Sequence, residues 1–176
     1  LDRFYPTVDG KPTVAYLWAR TVACKNCRAP IPLLKTRWLC KKDQQRALLT
    51  MEPKADRTGV AFGIQPAVPV ASGNPARRRE DDRRLGQGTM SRNGAWCPSC
   101  GKPGTVAMKL EDIRQEGMAG RLGAVMTTVA VDGKRGKEYR LPTPEEIETA
   151  ADAEKEIERV FAEIPFGLPT EPLPTK

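Results

Sequence analysis

Two Cys-x-x-Cys pairs carry the clearest chemical potential in this chain: Cys24-Lys25-Asn26-Cys27 and Cys97-Pro98-Ser99-Cys100, the latter followed by Gly101. A thiolate is a strong ligand for zinc, and two intervening residues let one tight turn aim both sulfurs at a single tetrahedral ion. Two such knuckles complete a four-sulfur shell. The second has the better turn residues, because Pro98 presets φ and Gly101 supplies a residue able to take positive φ. In the first knuckle Arg28 stands where the glycine would be, so a less favourable turn is expected. Gly94-Ala95-Trp96 and Lys102-Pro103-Gly104 read as the arms of a short hairpin around the second knuckle.

The inner cysteines are separated by 69 residues, against about 15–20 in the usual arrangement. Stretching a closed loop from ~15 to ~69 residues costs only about 1.4 kcal/mol of chain entropy. A structural zinc site contributes on the order of 10–16 kcal/mol, so the insertion is a minor cost. Two redox pairs or two disulfides would use the same cysteines. A thioredoxin-type pair, however, opens a helix after a strand, which neither does, and no secretion signal points to an oxidising compartment. The expected cofactor is therefore one structural Zn2+ on Cys24, Cys27, Cys97 and Cys100. Cys40 has no partner two or three residues away and is expected to be a buried free thiol acting as a small hydrophobe.

Composition narrows the rest. The 176 residues amount to about one domain. Only 39% are hydrophobic, below the usual 45–50% or so, which implies a modest core in need of a staple. There is no histidine, which excludes His-based triads, His-ligated zinc hydrolases, haem attachment and His general-base chemistry. No apolar run approaches the ~18 residues of a membrane span, and no membrane partner is expected. The first residues lack a signal peptide, so the expected location is cytoplasmic. Because the chain opens with Leu1 rather than Met, it is expected to be an internal piece of a longer polypeptide. There is neither a P-loop nor a dinucleotide-binding G-x-G-x-x-G. Asn74-Pro75-Ala76-Arg77 is not the Asn/Asp-Pro-Pro-aromatic clamp that amino-methylating enzymes place on a flipped base, and no Phe-Gly-x-Gly loop for S-adenosylmethionine occurs. Glu145/Glu146 and Asp81/Asp82 read as helix-cap and loop charges. No catalytic residue is assigned.

The elements expected to position the knuckles define an α+β fold: zinc-ribbon-type β-hairpins with a long inserted loop, a further β-hairpin and a C-terminal amphipathic helix. Residues 1–12 read as a connector and 13–141 as the ribbon module. Within that module Thr13–Ala23 is β-branched and aromatic, as a strand leading into the first knuckle should be. Leu33–Cys40 reads as its return strand, and Arg46–Met51 and Val60–Ile64 as two more strands. Residues 66–95 accumulate Pro, Gly, Ser and Asn and then a run of five arginines with three acids from Arg77 to Arg84; they read as a mobile loop. Lys109–Glu116 reads as a short helix with Leu110 and Ile113 inward, and Ala124–Val131 with Lys137–Leu141 as a hairpin. Thr143-Pro144-Glu145-Glu146 is a capping box with proline at the first helical position. It opens a helix over 143–164 whose apolar stripe is Ile147, Ala150, Ile157, Phe161 and Ile164. Residues 165–176 hold four prolines and read as a linker.

Several longer strings carry a family resemblance: Val14–Val22 (VAYLWARTV) with the first knuckle, Ile31–Lys42 (IPLLKTRWLCKK), the second knuckle, Ile113–Gly117 (IRQEG) with Ala119–Gly123 (AGRLG), and Glu138–Thr143 (EYRLPT). Together they resemble the prokaryotic adenine-specific DNA methylases that have an N-terminal domain of unknown function and a zinc-ribbon-bearing region. The resemblance implies a parent enzyme that methylates adenine N6 from S-adenosylmethionine, with its cofactor-binding and catalytic motifs outside these residues. It further implies metal ligation by Cys24, Cys27, Cys97 and Cys100, DNA and the remainder of the methyltransferase chain as partners, and, for some members, a setting beside anti-phage defence genes. Relatives more often have serine at the position of Cys40.

The net charge of +7 is uneven, with +11 in residues 1–104 and −4 in residues 105–176; a zinc-loaded site of four thiolates would bring the total near +5. If DNA touches this region, the candidate contacts are Lys25, Arg28, Lys35, Arg37 and Lys41. On a return strand Lys35, Arg37 and Lys41 would share one face. The Arg77–Arg84 run, only +2 net, is the weaker candidate surface. The alternative is a purely structural or protein-docking ribbon with no nucleic-acid contact.

Overall fold

The computed structural model describes residues 4–134 and 136–164. In chain order the first half runs β1 (Thr7–Val8), β2 (Lys11–Ala23), β3 (Pro30–Pro32), β4 (Trp38–Cys40), β5 (Ala47–Pro53), β6 (Val60–Pro66) and α1 (Pro75–Leu85). The second half runs β7 (Met90–Ser91), β8 (Gly94–Ala95), β9 (Met108–Lys109), α2 (Leu110–Met118), β10 (Gly123–Gly133), β11 (Gly136–Arg140) and α3 (Pro144–Ala162). The fold is mixed α+β, as expected. Among the described residues no helix is long and apolar enough to cross a membrane.

The main sheet has the order β1-β2-β10-β11, with β3 also on β2, and every pairing is antiparallel. Asp9 and Gly10 both take positive φ, 51° and 72°, so residues read as a connector instead form a tight hairpin turn, the usual use of Asp-Gly. Strand β2 pairs with β10 from Thr13 to Thr21 and with β3 from Thr21 to Ala23. It therefore delivers Cys24 directly off the end of the sheet. A second sheet, β4-β5-β6, and a third, β7-β8-β9, complete the strands.

Four expectations need correcting. The return strand over Leu33–Cys40 does not form: only Pro30–Pro32 pairs with β2, and Trp38–Cys40 belongs to the second sheet. Lys35 and Arg37 therefore lie on an irregular crossing, where strand alternation says nothing about a shared face. The stretch read as a mobile loop contains α1, capped by Asn74, whose side chain accepts from the Arg77 N–H at 3.0 Å. No residue of α1 is buried, so no apolar period could announce it. The partner of Gly94–Ala95 is Met108–Lys109 on one side and Met90–Ser91 on the other, rather than residues 102–104. Leu110 is 47% exposed, so of the two residues expected inward on α2 only Ile113 reaches the core.

The capping box of α3 is present as expected: the Thr143 side chain accepts from the Glu146 N–H, and the Glu146 carboxylate from the Thr143 N–H at 3.0 Å. Glu146 is also fully buried and takes a two-pronged ion pair from Arg140, both bonds 2.6 Å. Only part of the apolar stripe is covered. Ala150 packs on the Met126, Val129 and Val131 cluster, while Ile147, Ile157 and Ile164 stay exposed. Residues 165–176, read as a linker, lie outside the described residues.

Burial pushes the Glu146 carboxyl up, but hydrogen bonds from Arg140 and the Thr143 N–H outweigh it and hold it below the usual carboxylate range. A carboxyl lowered on folding stabilises the protein above its unfolded pKa of about 4.3, and that stabilisation is lost as pH falls through the folded value. Glu146→Gln is thus expected to cost roughly 3 kcal/mol at pH 7, since Arg140 loses its buried partner. Chemical denaturation from pH 7 to pH 3 should also show a shallower acid decline for this variant than for wild type. Parallel acid limbs would refute the assignment.

Candidate metal centre

Both knuckles turn in the same way. In the first, the Arg28 N–H donates to the Cys24 carbonyl at 2.8 Å, and in the second the Gly101 N–H donates to the Cys97 carbonyl at 2.8 Å. Arg28 takes φ 64°, the left-handed region that is costly for a residue with a Cβ; the expected defect of the first turn is real. Gly101, by contrast, does not have positive φ among the described residues. Its role is close approach, because a Cβ there would sit 3.0 Å from the Cys97 carbonyl oxygen.

The two turns meet. Cys24 Sγ lies 3.7 Å from Cys100 Sγ, and Cys27 Sγ lies 3.6 Å from Cys97 Sγ. All four sulfurs fall within 4.8 Å of one another. A tetrahedral ion with Zn–S bonds of about 2.3 Å places its sulfurs about 3.8 Å apart, so the four side chains fit a metal ion of that kind. Cys24 and Cys97 are buried, Cys27 is half-buried and Cys100 is exposed. Around them pack Val22, Ile31, Ala95, Ala107 and Met108. The centre is the core of its own half of the molecule.

The thiols of the group perturb one another. Burial pushes Cys97 up. The Cys100 thiol is raised, first through its hydrogen bond with Cys27 and then by burial. Burial also pushes Cys27 up, but hydrogen bonds from the Ala29 backbone and the neighbouring thiols bring it below its ordinary value. Four thiolates this close repel one another, and a cation at their centre would offset that repulsion.

Sequence reasoning missed the residues that bring the knuckles together. Thr89 is fully buried; it donates to the Pro32 carbonyl and accepts from the Leu34 N–H at 3.0 Å. It thereby clips the exit of the first knuckle to the approach of the second. Trp96 donates from Nε1 to the Gly88 carbonyl at 3.0 Å, and Ser99 from its hydroxyl to the Gly59 carbonyl at 3.2 Å. Gly94 has φ 137°, and a Cβ there would lie 2.0 Å from the Met108 carbonyl oxygen, so only glycine lets β8 run this close to β9. The short apolar run Val106-Ala107-Met108 was the one sequence signal for that partner. Cys40 is half-buried on β4 and outside the four-sulfur group; it is less buried than expected.

The five candidate DNA contacts separate. Lys25 pairs with Asp112 at 2.8 Å, and Arg28 is exposed on the knuckle. Arg37 turns into the protein and donates to the carbonyls of Gln87, Leu49 and Leu85 at 2.9, 3.3 and 2.7 Å. Desolvation by burial lowers its pKa. It ties β5 to the end of α1. Lys35 and Lys41 are exposed, and Lys41 stands 5.8 Å from the Trp38 ring centre.

The site therefore defines a protein with a four-cysteine centre able to hold one metal ion. No protein-family model, no curated protein and no solved structure matches the chain, so this geometry is the ground on which its function is argued. Elemental analysis of freshly reduced protein is expected to find one zinc per chain. Cys97→Ser should lose most of the metal and melt at lower temperature, because binding here is folding energy, whereas Cys40→Ser should keep both. Unchanged zinc content in Cys97→Ser would refute the ligand set.

Proposed function

We propose that this chain is the zinc-binding, zinc-ribbon-type accessory region of an S-adenosylmethionine-dependent, adenine-specific (N6) DNA methyltransferase, and that it helps position DNA for the catalytic domain. The observation that carries the reading is the meeting of four sulfurs, at separations suited to one tetrahedral ion, from knuckles 69 residues apart. Such a centre stabilises a small domain without offering an open coordination position, which is the arrangement of a structural rather than a catalytic zinc. The resemblance of the strings around both knuckles to the methylase family supplies the enzyme class, and the excess positive charge of residues 1–104 fits a phosphate-bearing partner. In such an enzyme the target adenine is flipped into a pocket elsewhere, and this region contributes by holding the duplex.

The test uses the purified chain with zinc bound and after chelation, titrated with a DNA duplex across a salt series. The zinc-loaded chain is expected to bind with an affinity that falls steeply with salt, as counterion release requires, and chelation should abolish binding. Calorimetry with S-adenosylmethionine is expected to show no binding, since the chain has no cofactor loop. Absence of DNA binding at 50 mM salt would favour the purely structural or protein-docking role, and measurable cofactor binding would overturn the accessory role.

A further inference from the structure

Two surfaces that the sequence presents as rivals come together in the fold. The crossing before β4 and the residue just after that strand bring Lys35 and Lys41 to one wall of an open groove of about 560 Å3, and α1 brings Arg79 and Arg83 to the other. Trp38 and Asp82 lie between them. We propose that this groove is where the chain grips the phosphate backbone of duplex DNA, an assignment that rests on the DNA-positioning role above.

The groove is rigid and its charge is available. Trp38 donates from Nε1 to the Asp82 carbonyl at 2.8 Å, and its ring centre is 4.5 Å from the Arg46 guanidinium. Arg46, fully buried, pairs with the Asp82 carboxylate and donates to the Val68 carbonyl at 3.0 Å. The one acid lining the groove is thus neutralised from behind. Arg83 pairs with Glu80 on the helix surface. Among the described residues no side-chain hydrogen bond or ion pair engages Lys35 or Arg79, and Lys41 stands over the Trp38 ring with the Asp82 carboxylate in electrostatic reach. Lys35 and Arg79 therefore face the groove from its two walls without protein partners, with Lys41 beside them against the Trp38 ring.

The chemistry of the lining selects among polyanions. A stable protein interface has an apolar centre, and the one large apolar side chain here, Trp38, is already taken up by Arg46, Lys41 and the close-packed backbone of Gly86. For the same reason Trp38 is a wall and not a platform on which an unpaired base could stack. What is left is a set of mobile ammonium and guanidinium groups, which suit phosphate oxygens and read no base sequence.

The test compares duplex binding by the zinc-loaded wild-type chain and two triple variants: Lys35→Ala/Lys41→Ala/Arg79→Ala in the groove, and Lys54→Ala/Lys102→Ala/Arg114→Ala outside it. The groove variant is expected to bind about 10- to 100-fold more weakly at low salt, with a salt slope shallower by up to about three phosphate contacts. The outside variant should stay within about threefold of wild type, consistent with its cations lying away from the phosphates. A charge-conserving groove variant, Lys35→Arg/Lys41→Arg/Arg79→Lys, should retain the slope, which separates loss of charge from loss of fold. Wild-type binding that survives the groove substitutions but falls with the outside ones overturns the groove and leaves the DNA-positioning role standing. No wild-type binding at 50 mM salt overturns that role itself. Displacement of the duplex by polyglutamate of matched charge as readily as by unlabelled DNA would assign the groove to an acidic protein instead.

Discussion

Four sulfurs held within 4.8 Å of one another are the constraint on which the knuckle-bearing half of the molecule depends. Bound to a cation, such a group would become a cross-link between distant parts of the chain. The surrounding apolar cluster is small, and two of its fully buried members are the ligands Cys24 and Cys97. A metal ion held there would therefore share one core with the hydrophobic contacts. For a chain of modest hydrophobic content, such a cross-link would supply stability that buried apolar area alone would not.

The segment between the knuckles buries Ala47, Leu48, Leu49 and Val68, and adds to that packing two arginines set among carbonyls and the Asp82 carboxylate. Arg46 and Arg37 both point inward, one onto Asp82 and the Val68 carbonyl, the other onto the carbonyls of Leu49, Leu85 and Gln87. Between them they fasten α1, a helix with no buried residue of its own, to the β4-β5-β6 sheet. A polar helix can persist in this position because its attachment uses charge-assisted hydrogen bonds, and its own surface is stitched by the pairs Glu80–Arg83 and Asp81–Arg84. The main sheet solves the equivalent problem at α3 with one buried carboxylate. Glu146 completes the helix cap and binds Arg140 on β11, which with the packing of Ala150 joins helix and sheet while much of the apolar stripe beyond stays open.

What the sequence by itself determined lies in features whose cause is local. Composition and β-branching made β2 and β10 legible, the Thr143-Pro144-Glu145-Glu146 string announced α3, and the two Cys-x-x-Cys spacings identified all four sulfurs of the centre. Each depends on residues a few positions apart. Even the strain at Arg28 was visible, since the turn needs a left-handed residue whatever surrounds it. Asp9-Gly10 carried an equally local signal, and the hairpin it makes was legible in principle. Tertiary structure alone decided the rest, because those features depend on which distant group arrives opposite. Strand character does not name a partner, so Gly94–Ala95 joined Met90–Ser91 and Met108–Lys109 rather than residues 102–104. A helix without an apolar face leaves no period to read, so α1 emerged only through its attachments. An arginine's five donors serve phosphates and carbonyls equally well, and only the arrival of Leu49, Leu85 and Gln87 around Arg37 turned it inward while Lys35 and Lys41 stayed in solvent facing Arg79.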